Sequence, residues 1–204
     1  MEQAYYFIII GALLFEFILS TLSSILNMKS ISKVVPDGFQ DYYDEEKYAK
    51  SQLYLQDKTK LGLFSSTFSL LLILSVIHFG LFGKLDEFVR SNSSNYITSG
   101  LLFFGILFLI NDFLNIPFSV YSTFVIEEKY GFNKTSVNTF ISDKFKGYGL
   151  TIVLGSAIIV PVLYFFNTFQ DNGWWIAWAL MTAFMIAVQP LFVNIIAPMF
   201  NKFT

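Results

Sequence analysis

Five stretches of this chain are apolar for the length that a helix needs to cross a hydrocarbon layer, and no other feature limits its fold so strongly. A spanning helix takes about 20 consecutive, mostly apolar residues. Residues 4–26 meet that need with Glu16 inside, and 61–82 meet it with no formal charge. Residues 99–126 carry only Asp112, 148–169 contain Pro161, and 174–200 contain Pro190 and Pro198. Proline is tolerated in such helices because neighbouring groups re-satisfy the freed backbone. The expected fold is an all-α integral membrane protein with five transmembrane helices. Composition agrees: 54% of the 204 residues are hydrophobic and 14% are charged, where a soluble domain carries about a quarter charged. The first stretch does not read as a cleavable signal. No Lys or Arg precedes Lys29, and the apolar run exceeds the roughly 7–15 residues of a signal core.

The connections set the expected orientation. Residues 27–60 are long, polar and charged, with a turn signal at Pro36-Asp37-Gly38 and helix-favouring composition from Asp41 onward. Residues 83–98 read as a short loop, and 127–147 as a second polar segment. Gln170-Asp171-Asn172-Gly173 is tight enough to fold the last two spans into an antiparallel hairpin, with Trp174, Trp175 and Trp178 at interfacial depth. Lys29, Lys33, Lys47, Lys50, Lys58 and Lys60 lie in the first connection; Lys129, Lys134, Lys144 and Lys146 lie in the third; Lys202 follows the last span. These are eleven of the thirteen basic residues, and only Lys84 and Arg90 fall on the other side. The positive-inside rule then places the N-terminus outside and the C-terminus in the cytosol. The Phe-, Lys- and Asn-rich composition suggests an AT-rich genome, hence a bacterial inner membrane, or the endoplasmic reticulum if the source is eukaryotic.

Polar groups within spans are costly and mark either helix-to-helix bonding or a hydrated cavity. Glu16, Ser20, Ser23 and Asn27 recur at helical spacing on the first span. Asn111, Asn115, Ser119 and Ser122 do the same on the third, beside Asp112; Gln189 and Asn194 lie on the fifth. Glu16, Asn111, Asp112, Asn115, Gln189 and Asn194 are the candidate cavity-lining residues. Both explanations of them stand at this level.

Metal chemistry is tightly limited. A catalytic zinc wants three protein ligands, and this chain has one histidine, His78, and no cysteine. His78 reads as a packing residue, and the segment is expected to bind no zinc and to cleave nothing alone. Asn92-Ser93-Ser94 and Asn133-Lys134-Thr135 match the glycosylation pattern by chance. Glu127-Glu128 would suggest a glutamate-type intramembrane CAAX protease if Arg stood at position 132, but Phe132 is there.

Three stretches carry a resemblance: Val125 to Thr135 (VIEEKYGFNKT), Phe140 to Lys146 (FISDKFK) and Asn194 to Thr204 (NIIAPMFNKFT). Together with the order of spans, they resemble the N-terminal membrane domain of the type I CAAX prenyl proteases, integral-membrane zinc metalloendopeptidases. The resemblance implies a motif loop of Glu127, Glu128, Gly131, Phe132, Asn133, Lys134 and Asp143. It implies that the five spans form part of a larger helical barrel of seven spans around a polar chamber. It also implies a zinc cofactor held by a His-Glu-x-x-His helix that would follow Thr204, so a fragment of a longer enzyme is expected. The implied partners are the bilayer, a lipidated or membrane-associated peptide and the missing C-terminal catalytic domain, with no nucleic acid. The rival is a non-enzymatic transporter subunit or scaffold that uses the same polar cavity.

Overall fold

The computed structural model describes residues 2–169 and 173–200, and these are almost entirely helical. The tight turn at 170–172 and the terminal residues 201–204, with Lys202, lie outside the described residues. The helices are α1 (Glu2–Lys29), α2 (Glu45–His78), α3 (Leu81–Asn92), α4 (Tyr96–Tyr121), α5 (Val137–Phe169), α6 (Gly173–Leu191) and α7 (Ala197–Phe200). A π-helical stretch, Ser122–Glu127, continues α4, and another, Phe192–Ile196, joins α6 to α7 just before Pro198. Five helices, counted with these extensions, are long and apolar enough to cross a membrane: Gln3–Lys29, Glu45–His78, Tyr96–Glu127, Val137–Phe169 and Gly173–Met199.

Side-chain caps explain where three helices begin. The Asp44 carboxylate accepts the Lys47 backbone N–H at 2.9 Å, with Glu45 and Glu46 in the first turn, where negative charge suits the helix dipole. Helix α2 therefore starts well inside the polar 27–60 segment. Asn95 accepts the N–H groups of Ile97 and Thr98 ahead of α4, and Ser136 accepts that of Thr139 ahead of α5. That last cap starts α5 inside the polar 127–147 segment. The stretch 83–98, expected as a loop, is mostly helix α3. Its Lys84, Asp86, Glu87 and Arg90 give it a polar side, and Arg90 meets Asp86 one turn away at 2.8 Å. It is too short to span and too regular in its polarity to be a loop.

The chain divides into two compact units: Met1–Gly83 with Asn111–Lys134, and Lys84–Ile110 with Thr135–Thr204. In the first, the C-terminal end of α1 (Ser24, Asn27) meets the N-terminal part of α2 (Gln52, Leu55, Thr59) across a small polar cleft, so the two helices are antiparallel. The end of α4 also runs antiparallel to α2: Phe118 packs on Phe68 and Phe64, with ring centroids 5.5 and 6.0 Å apart. In the second unit α4 and α5 are antiparallel, with Phe108 beside Tyr148 and Gly100 against Leu163. The start of α6 lies close on the end of α5, with Gly173 against the backbone of Phe165 and Phe166.

Little of the apolar surface is interior. Val35, Val89, Ile126, Ala177 and Ile196 are buried, while Phe7, Phe64, Phe113, Ile152, Ile186 and many other large apolar side chains on the spans are exposed. In water such a surface would aggregate; in a bilayer it faces lipid tails or further helices at little cost.

Candidate functional site

The Glu127–Asn133 loop forms the densest polar structure of the first unit, and the order of its residues explains its shape. Gly131 adopts φ 71°, a left-handed conformation that costs glycine nothing and other residues roughly 1–2 kcal/mol. Around it the Phe132 N–H donates to the Glu127 carbonyl at 2.8 Å and the Gly131 N–H to that of Glu128 at 2.9 Å. This pair of bonds is the Schellman ending of a helix. The reversal brings both Tyr130 and Phe132 edge-on to Tyr54 of α2, with ring centroids 5.6 and 4.9 Å away.

Charged groups then tie the loop to α2. Asp57 accepts the Lys129 ammonium and the Tyr130 hydroxyl, each at 2.7 Å, and lies 3.7 Å from Lys60. One residue on, Lys58 donates to Glu127 at 3.1 Å and to the Ser122 hydroxyl. The Asn133 amide donates to Glu128 at 2.9 Å, which stiffens the loop internally. The bond to Asp57 and its charge raise the Lys129 ammonium above its ordinary pKa. Burial, followed by the bond to Asp57, pushes the Tyr130 phenol up as well. Tyr54, Asp57 and Lys58 were not singled out in the sequence. Nothing local marks them, because their partners lie about seventy positions away.

The other motif residues sit elsewhere. Lys134 is exposed at the end of the first unit. Asp143 belongs to the second unit, on α5, where it pairs with Lys146 at 3.1 Å.

The candidate cavity-lining residues are dispersed. Glu16 is exposed on α1, and Asn111 is exposed on α4. Asp112 and Asn115 are half-buried, and Asn115 donates to the Asn111 backbone carbonyl at 2.7 Å. Gln189 on α6 and Asn194 in the second π-helical stretch are exposed and belong to the second unit. Among the described residues no three His, Cys, Asp or Glu side chains gather as metal ligands. His78 instead lies edge-on to Phe79, with centroids 5.1 Å apart. The donor set present does not fit a catalytic zinc.

Five helices long and apolar enough to span, one pair of them (α2 and α4) clasped at its polar ends, define a polytopic membrane domain. Residues 24–202 match the family model described as CAAX prenyl protease N-terminal, five membrane helices, and the chain belongs to that family. It is 35% identical to the "Probable CAAX prenyl protease 1" of Schizosaccharomyces pombe over 83% of this chain and 38% of that protein. It is 31% identical to the CAAX prenyl protease 1 of Saccharomyces cerevisiae over 83% of this chain and 40% of the relative. The crystal structure of S. mikatae Ste24p superposes with a TM-score of 0.85 at 29% identity, covering 97% of this chain and 48% of that one. The chain thus spans less than half the length of the relatives it matches.

Proposed function

We propose that this chain is the membrane domain of a zinc metalloendopeptidase of the CAAX prenyl protease type. It forms the chamber wall and the substrate access route for prenylated or membrane-associated peptides. The exposed polar groups on its spans carry the reading. Polar side chains facing hydrocarbon are costly, by about 2.5–3.5 kcal/mol at the bilayer centre on mild insertion scales where the group is charged, and by less for a neutral amide. Glu16, Asn111, Gln189 and Asn194 remain exposed on helices whose other faces are apolar. A water-filled chamber, closed by spans that this chain does not supply, removes that cost. Membership of a protease N-terminal family supports the same reading and disfavours a transporter subunit or scaffold.

The zinc and the groups that activate water would come from the remainder of the enzyme, and this segment alone binds no zinc and cleaves nothing. The uneven distribution of basic residues supports an N-terminus outside and a C-terminus in the cytosol, in a bacterial inner membrane or in the endoplasmic reticulum.

The test uses the full-length protein in intact bilayers. Asn111→Cys and Gln189→Cys should react with a charged, water-soluble thiol reagent, and Asp112→Leu should lower cleavage of a farnesylated peptide more than it lowers expression. Unreactive cysteines at both positions would place these residues in lipid or in packed contacts. An Asp112→Leu protein that is lost in proportion to its activity, beside a fully active Asp112→Asn, would make the cluster helix-to-helix bonding only.

A further inference from the structure

Beside the clasp, α2 and the end of α4 leave a groove of ≈ 610 Å³, within the size range of small-ligand clefts. Its walls change character along its length. At one end stand Asp57, Lys60 and Lys129; the rest of the lining is mostly apolar and includes Leu61, Phe64, Phe118 and Ile126, with Tyr121 among them. The sequence fixes the depth of each part. Lys60 is the last residue before the apolar run of α2, and Lys129 follows closely on the apolar run that ends at Ile126. Both ammonium groups therefore sit where a span leaves the hydrocarbon, and the aromatic and aliphatic walls sit within it.

We infer that this groove holds one anionic phospholipid, its phosphate bridging Lys60 and Lys129 and an acyl chain lying against Leu61, Phe64 and Phe118. Charge selects the occupant. Two ammonium groups share the single carboxylate of Asp57, while Lys58 is matched by Glu127, so the mouth carries one net positive charge. Lys60 and Lys129 are 58% and 61% exposed, and each ammonium has three donors, so both can still reach a phosphate. Basic pockets between spans on the cytosolic side are suited to anionic headgroups. A zwitterionic lipid would meet the same acyl wall without the net attraction. The inference is independent of proteolysis, because lipid retention reads the groove and cleavage reads the chamber.

The experiment takes the protein at its full natural length, purified in mild detergent, and measures retained lipid by native mass spectrometry. Phosphatidylglycerol and phosphatidylcholine of identical chains are offered in competition. The native protein should retain one phosphatidylglycerol with about tenfold preference, as expected for two surface lysines partly offset by one carboxylate. Lys60→Gln with Lys129→Gln should abolish the preference, and the Arg pair at both positions should keep it. Equal retention of the two lipids by the native protein overturns the inference without any variant. So does a preference that survives in the Gln pair. One-for-one displacement of the phosphatidylglycerol by a farnesylated peptide would assign the groove to substrate and overturn it as well.

Discussion

Asp57 accepts from two partners at 2.7 Å with its side chain only 24% exposed, and that sets the rank of substitutions in the clasp. An exposed ion pair such as Lys129 with Asp57 is screened by solvent and contributes little. A hydrogen bond from a buried phenol to a carboxylate is worth roughly 1.5–3 kcal/mol, and Tyr130 is buried. Asp57→Ala should therefore destabilise the protein by about 2–3 kcal/mol and Lys129→Ala by clearly less, read as thermal unfolding in detergent. Equal effects would contradict the ranking. The pH dependence follows from the same contacts. The Lys129 and Tyr130 pKa values are both raised in the folded state, so the folded protein holds these protons more tightly than the unfolded chain. Their contribution is complete below the ordinary values near 10 and is lost as pH rises through the raised ones. Tyrosinate absorbance should show one phenol titrating late, absent in Tyr130→Phe, together with stability that falls above about pH 10. In the sequence, VIEEKYGFNKT was recognisable as a motif but its geometry was not. Gly131 hints at a left-handed turn, yet no pattern pairs Lys129 with Asp57 or Glu127 with Lys58.

At the scale of elements, hydropathy located the membrane helices and underestimated their length, because it is blind to caps. Asp44, Asn95 and Ser136 open α2, α4 and α5; composition had already suggested helix from Asp41 onward, whereas Asn95 and Ser136 lie in segments read as a loop and as a polar connection. Helix α3 escaped notice because Lys84, Asp86, Glu87 and Arg90 dilute its apolar residues below any spanning threshold. Their spacing, with Asp86 and Arg90 one turn apart, was the signal available. Packing between elements depends on small residues at close approach. A methyl group at Gly173 would stand 3.0 Å from the Phe165 carbonyl oxygen and 3.1 Å from the Phe166 Cα, whereas Gly105 has open space. Gly173→Ala should lower the thermal midpoint measurably, and Gly105→Ala should leave it unchanged or raise it slightly, since Ala favours helix by up to about 1 kcal/mol. An unchanged midpoint for Gly173→Ala would mean that α5 and α6 do not approach as described.

For the whole molecule, class and family were legible because span number, charge asymmetry and three motif stretches are all local properties of sequence. Whether Glu16, Asp112 and Gln189 line a common cavity was not, because intramembrane polar residues mark either bonding between helices or a cavity. Orientation is open to direct measurement. Cysteines at Lys47 and Ser136 should label only from the cytosol, and one at Ser93 only from outside. Labelling of both classes from one side would overturn the assignment.

The clasp also constrains how the chain is threaded into the membrane. Asp57 and Lys58 are made long before Glu127 and Lys129, and between them the polypeptide must leave through α2 and return through α4. If either crossing failed, residues 127–133 would be stranded on the far side of roughly 30 Å of hydrocarbon, with Asp57, Lys58 and Tyr54 left solvated and alone. Closure of these few polar contacts is thus denied to any chain in which only one of the two crossings has been made. The same residues that brace the finished domain act as a receipt for its insertion.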